Sequence, residues 1–248
     1  MPPLHEMLMP AATVLMGYTV LGVTGFGSAL IIVPLLTWHW PLTEVVALTL
    51  LLDLPASLLL GGLNRQQIHR QELLRLLPGV VLGALLGLWL TAQLSNRWPV
   101  MALGAYVAVV GLRTLRAAAP PPSHLPRPWG LIAGAAIGLV EMLFGTAGPL
   151  IVAWLSRRLP DVRVLRASTS AAITVSTCAV LLTMASAGRL SQPELGWRWL
   201  LLMPLALAGV LLGQHGAHRL PAERLRKAIA LLLVISGLAL VTHALSTL

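Results

Sequence analysis

The sequence predicts an all-α polytopic membrane protein, because its composition, hydropathy and charge distribution all favour this fold class. Of its 248 residues, 57% are hydrophobic and only 10% are charged, with a mean hydropathy of +0.84, whereas a soluble domain carries about a quarter charged residues. All but one of the 17 basic residues are arginine, and they fall in short gaps between apolar runs, as juxtamembrane charges do. This composition excludes a soluble enzyme, a nucleic-acid-binding module and a disulfide scaffold.

Eight apolar runs follow one another along the chain. A helix needs about 20 residues to cross a bilayer, and most of the runs match one such span. No basic residue precedes Arg65, so we expect the first run to belong to the mature structure rather than to a signal peptide. The runs cover approximately residues 7–37, 42–62, 73–92, 98–115, 129–155, 165–187, 197–214 and 225–245.

Two runs, 7–37 and 129–155, are too long for one simple span, and a glycine-rich stretch interrupts each of them. If every run crosses once, the basic residues divide 8 against 9 between the two sides. If the two long runs are hairpins that enter and leave on one side, the division becomes 14 against 3. The positive-inside tendency favours the hairpins, with broken single spans as the alternative. The three basic residues on the minority side are Arg97, Arg189 and Arg198.

The two halves of the chain repeat a pattern. The segment 25–33 aligns with 145–153, and the Pro-x4-Gly-x3-Gly pattern that starts at Pro78 recurs at Pro204. We predict one membrane transporter domain, residues 1–248, in which a first repeat (1–116) and a second repeat (129–248) are joined by a Pro-rich linker (117–128). Each repeat is a Gly-broken helix or hairpin plus three transmembrane helices. This odd number of crossings makes the repeats inverted.

The two glycine-rich breaks predict an anion-binding site near the membrane midplane. Ser28 resembles an N-cap and Pro149 the first residue of a second half-helix. Two helix N-termini would then direct free N–H groups and positive dipole ends at one place. The alternative is that the glycines only permit close packing. The candidate binding residues at the breaks are Gly25, Phe26, Gly27, Ser28, Gly145, Thr146, Ala147, Gly148 and Pro149.

Several polar residues outside the breaks are further candidates. Asp53 and Glu141 are the only acids deep inside apolar runs, where a carboxyl is costly and usually functional. Glu141 lies about one helical turn before Gly145, so it is the first candidate for binding a coupling proton and Asp53 the second. Each could equally make a static contact inside the protein.

Two hydroxyls and one arginine could also bind the anion. Thr49 and Thr169 stand at related positions of the two repeats, although such hydroxyls often bond their own helix backbone. Arg166 could hold an anion bidentately or serve as a topology charge. The glycine pairs Gly83/Gly87 and Gly209/Gly213 predict close helix packing instead.

The sequence offers no sign of an enzyme or a metal site. The seven histidines lie at the ends of runs and in loops, without metal-ligand spacing, and Cys178 is the only cysteine. No nucleotide-binding or catalytic motif is found. We therefore expect no catalytic residue, no metal and no cofactor.

At these same residues the sequence resembles the TauE/SafE family of sulfite and organosulfonate exporters. The resemblance rests on Gly25–Leu36, Gly145–Pro149 and the helices of Pro78 and Pro204, and it covers nearly the whole chain. The sequence departs from the family pattern at Ser28 and at Ala147, where glycine is usual. The family implies export of small sulfur-containing anions.

These observations predict a multi-pass secondary transporter of a small anion, a sulfur oxyanion or organosulfonate, in the bacterial inner (plasma) membrane. Its expected partners are the anionic substrate, the lipid bilayer and a coupling proton, with no nucleic acid and with a homo-oligomer left open. The alternatives are an uncoupled anion channel or uniporter, and a scaffold or permease subunit that requires a partner protein.

Overall fold

The computed structural model describes residues 4–62, 65–93, 97–116, 129–216, 230–231, 233–239 and 241–242. The predicted linker, 117–128, lies outside these residues, and the last predicted run is described only in part, where it is helical. The described residues form helices and no strand, which confirms the all-α fold class.

Nine α-helices are resolved along the described chain. They are α1 (Leu4–Thr24), α2 (Ser28–Leu36), α3 (Leu42–Gly62), α4 (Arg70–Gln93), α5 (Arg97–Arg116), α6 (Trp129–Phe144), α7 (Gly148–Leu155), α8 (Val162–Ser186) and α9 (Pro193–Gly216). Five of them, α1, α3, α4, α8 and α9, contain stretches long and apolar enough to cross a membrane, and α5 and α6 contain shorter apolar stretches.

Both long apolar runs break at their glycines, and the chain turns back on itself after each break. A Cβ atom on Gly17 of α1 would lie 2.6 Å from Cγ1 of Ile32 in α2, whereas 15 residues of continuous helix would separate them by about 22 Å. A Cβ on Gly130, at the start of α6, would lie 3.7 Å from the ring of Trp154 near the end of α7. The pairs α1–α2 and α6–α7 are therefore helical hairpins, in which the second helix runs back along the first, rather than single helices broken in the middle.

One end of the bundle gathers the beginnings of α4 and α6 with the end of α7. Glu72, which is 3% exposed, accepts hydrogen bonds from Trp154 Nε1 (3.2 Å) and Arg158 (3.5 Å) and pairs with Arg75. We call this end the arginine-rich face. The opposite end, which carries Arg189 and the start of α9, is the arginine-poor face.

Each hairpin packs along the long proline-containing helix of the other half. Helix α1 lies against α9, and α6 lies against α4, while α3 and α8 contact each other. A Cβ on Gly83 would lie 2.0 Å from the carbonyl oxygen of Ala135, and one on Gly213 would lie 2.2 Å from that of Thr19. The packing role predicted for the two glycine pairs is confirmed, because no side chain fits at these crossings.

Candidate functional site

The two glycine-rich breaks meet inside the protein. A Cβ on Gly148 would lie 3.0 Å from Cβ of Phe26, so the second break touches the first. The chain can turn sharply here because Gly25 (φ 86°), Gly27 (φ 99°) and Gly145 (φ 67°) adopt left-handed backbone conformations, which cost little only for glycine. The hairpins thus bring together two segments that are 120 residues apart.

The start of each short helix differs by one residue from the sequence prediction. Gly27, not Ser28, is the N-cap of α2, and Ser28 is the first helical residue. The prediction of Ser28 as N-cap is wrong, because its hydroxyl bonds a carboxylate instead of the helix backbone. Helix α7 begins at Gly148, which makes Pro149 its second residue. No side chain caps either helix start, so backbone N–H groups there remain available to another acceptor.

A polar cavity of about 20 Å³ lies between the breaks. This volume suffices for about one water molecule. Its walls combine both breaks with polar residues of the long helices. They include Gly27, Ser28, Asp53, Ser57, Glu141, Gly145, Thr146, Ala147 and Gly148.

Asp53, on α3, holds the first break in place from one side of the cavity. Its Oδ1 accepts hydrogen bonds from the Tyr18 hydroxyl (2.8 Å) and the Ser28 hydroxyl (2.9 Å), and the residue is 6% exposed. Sequence reasoning missed Tyr18. The only available signal was that it is one of two tyrosines and stands inside an apolar run, where a phenolic hydroxyl requires a partner.

Glu141, on α6, faces the cavity from the second half. Its Oε1 accepts a hydrogen bond from Thr177 of α8 (2.7 Å), and the residue is 2% exposed. Its Oε2 is buried and has no hydrogen-bond partner among the described residues. A buried polar atom without a partner is costly, so this oxygen indicates a place for a proton, a water molecule or a ligand group.

Six predicted binding residues do not line the cavity: Gly25, Phe26 and Pro149 at the breaks, and Thr49, Thr169 and Arg166 outside them. The hydroxyls of Thr49 and Thr169 donate to carbonyls of their own helices, those of Val45 and Leu165. Arg166 donates to the carbonyl of Gly22 near the end of α1 (2.7 Å). This bond satisfies a carbonyl that the helix end leaves free. Arg166 therefore stabilises the end of α1, just before the first break, and lies outside the cavity.

No group of three or more histidine, cysteine or acidic side chains that could hold a metal ion occurs among the described residues. The buried carboxylates of Asp53 and Glu72 instead accept hydrogen bonds from hydroxyl, indole and guanidinium groups. Glu72, whose contacts fix the end of the second hairpin, was also missed, because it stands at the edge of an apolar run and gives no sign of burial in the sequence.

Five helices of the described chain are long and apolar enough to cross a membrane, and two apolar runs break at one buried cavity with polar walls. Irregular backbone inside a membrane is tolerated only where it faces protein or a wet cavity, as in the broken helices of transporters, so this architecture is typical of a membrane transport protein. Comparison with known proteins agrees. The family described as sulfite exporter TauE/SafE matches residues 9–240, so the chain belongs to this family.

A curated relative supports the same class. The chain is 41% identical over 197 residues to the "Probable inner membrane transporter protein TsaS" of Comamonas testosteroni, a match that covers 79% of this chain and 82% of the relative. No solved structure matches. The protein is a multi-pass transporter of the inner membrane.

Proposed function

We propose that the protein is a secondary transporter of a small anion, a sulfur oxyanion or an organosulfonate, and that the anion binds where the two breaks meet. The convergence of two helix N-termini without side-chain caps on one polar cavity carries this proposal. Backbone N–H groups and the positive ends of helix dipoles form anion sites. The sulfur chemistry rests on the family, whose description names a sulfite exporter.

The cavity favours a carrier over an open channel. Its volume of about 20 Å³ holds about one water molecule, so an anion can enter only when the hairpins and the long helices separate. Because α1 packs on α9 and α6 packs on α4, movement of one of these packed groups against the other would open the cavity. This is the alternating-access behaviour of transporters built from inverted repeats.

The two carboxyl groups at the cavity make protons the natural coupling ion. An anion beside ionised Asp53 and Glu141 would be repelled, whereas the same anion beside protonated carboxyl groups would not. Binding of the anion and of a proton therefore favour each other reciprocally. Glu141 is the principal proton site in this proposal because one of its oxygens has no partner among the described residues.

Transport by the purified full-length protein in proteoliposomes tests the proposal. We expect sulfite or a short alkanesulfonate to accumulate against its gradient when a pH gradient is applied. Passive flux without accumulation would identify a uniporter or channel. Absence of flux of any small anion would overturn the proposal and favour a subunit that requires a partner protein.

A further inference from the structure

A second, larger cavity opens between the hairpins and the arginine-poor face. Its volume is about 250 Å³, and it lies among the starts of α3 and α5, the ends of α4, α6 and α8, and the loop before α9. We call it the vestibule. Its size exceeds that of a cavity that holds benzene, about 150 Å³.

Only a thin wall separates the vestibule from the central cavity. Val46 and Met142 line the vestibule, and Glu141, next to Met142, lines the central cavity. A Cβ on Gly145, at the second break, would lie 3.5 Å from Cα of Val46. A small displacement of α3 or of the second hairpin would therefore join the two cavities.

Among the described residues that line the vestibule, Arg189 alone carries a charge. The residue is half-buried, and its guanidinium forms no ion pair with any part of the chain that the structure describes. The backbone at Arg189 is fixed, because its N–H and that of Gly188 (φ 70°) bond the carbonyls of Met184 and Ala185 at the end of α8. This is the Schellman arrangement that ends helices at glycine.

The remaining walls are partly apolar and partly polar. Leu143 and Met184 offer hydrocarbon surface, and Gln192, in the same loop as Arg189, offers a side-chain amide. The Thr91 hydroxyl donates to the carbonyl of Leu88 in its own helix. A cation with a neutral polar neighbour suits the head of an anion, and the apolar walls suit a hydrocarbon tail.

We propose that the vestibule is a second binding site, in which Arg189 holds the anionic head of an organic anion and the apolar wall holds its tail. The inference rests on the proposed function and narrows its substrate class. An alkanesulfonate fills both parts of the site, whereas sulfite contacts only the polar part. The vestibule thereby selects organic anions that enter or leave at the arginine-poor face.

Transport of propane-1-sulfonate and of sulfite, measured from each face of oriented vesicles, tests this site. We expect Arg189→Gln to raise the KM for propane-1-sulfonate at the arginine-poor face about tenfold, the effect of losing one charge-assisted hydrogen bond, with kcat nearly unchanged. Arg163→Gln removes the same charge from an exposed position at the start of α8 and should leave KM unchanged. Leu143→Ala should raise the KM for propane-1-sulfonate but not for sulfite.

The outcomes separate the two proposals. Normal kinetics in Arg189→Gln, or an equal rise in KM from both faces, would overturn the vestibule site while the central site stands. Failure of the wild-type protein to carry either anion would overturn both.

Discussion

At the scale of single residues, the site depends on small side chains whose partners lie far away in the sequence. Ser28 looks like a helix cap, yet its hydroxyl bonds Asp53, 25 residues away. Glu141 looks isolated, yet Thr177 bonds it from another helix. Local rules identified which positions are unusual, but their bonding partners depend on how the helices pack.

Gly148 provides a test of the central site. Gly148→Val should lower anion affinity at least about tenfold, because the new side chain meets Phe26 and crowds the N–H groups at the start of α7. Binding is read from anion-dependent thermal stabilisation of the purified protein. Gly196→Val, at a helical glycine with nothing within 4 Å, is the matched control and should bind normally. Wild-type affinity in Gly148→Val would mean that this glycine serves packing alone.

Glu141 provides a test of coupling. Glu141→Gln should keep anion exchange but lose its response to a pH gradient, because glutamine retains a carbonyl that accepts from Thr177 and cannot titrate. Counterflow and pH-driven uptake in proteoliposomes measure the two properties separately. Glu194→Gln, at a largely exposed carboxylate, should retain both. Unchanged pH-driven uptake in Glu141→Gln would remove this residue from the mechanism and leave Asp53 to be tested in the same way.

At the scale of helices, the breaks convert two long apolar runs into hairpins. A glycine at positive φ reverses the chain without steric cost, and close contacts such as Gly17 with Ile32 hold the two arms together. The charge distribution had favoured hairpins over broken spans, and the structure agrees. Arg75 and Arg158 meet at Glu72, so the end of the second hairpin lies beside the start of α4.

Cysteine accessibility measures this topology directly. In a Cys178→Ala background, single cysteines at Ser123 and Arg157 should react with a membrane-impermeant thiol reagent from the same, cytoplasmic side. A cysteine at the exposed Gln192 of the arginine-poor face should react only from the other side. Labelling of positions 123 and 157 from opposite sides would contradict the second hairpin and the inverted arrangement of the halves.

At the scale of the whole molecule, the halves are joined by helix crossings without side chains between them. On one side, Gly79 and Gly83 of α4 meet Gly134 and Ala135 of α6. On the other, α9 meets α1 at Gly213 and Gly22. Each half thus packs its hairpin on a long helix of the other half, as two related repeats would do. This arrangement supports our proposal that the membrane domain consists of two repeats.

Overpacking one crossing should weaken the joint between the halves. Gly83→Val places atoms within contact distance of the Ala135 carbonyl, and overpacking of this kind costs about 1–3 kcal/mol or more. We expect a lower midpoint of thermal unfolding in detergent than in the wild type. The control is again Gly196→Val, whose midpoint should change little. Equal midpoints for both variants would show that the crossing can relax.

The fold class, the positions of both breaks and the two acids that face the cavity could all be predicted from the amino-acid sequence. Hydropathy, glycine clustering and charge asymmetry are local or additive properties, so they can be read without knowing which helices touch. Glu141 and Asp53 stood out because an acid in an apolar run is rare for reasons of solvation.

Which polar groups contact one another depends on how the helices pack and could not be predicted from the sequence. Asp53 and Glu141 accept hydrogen bonds from Tyr18 and Thr177, respectively. The side chains of Thr49, Thr169 and Arg166 instead donate to backbone carbonyls. The vestibule around Arg189 had no signal in the sequence, because its walls come from five helices and a loop. A cavity forms where packed helices leave space between them. Its position therefore depends on the packing between segments rather than on any one segment.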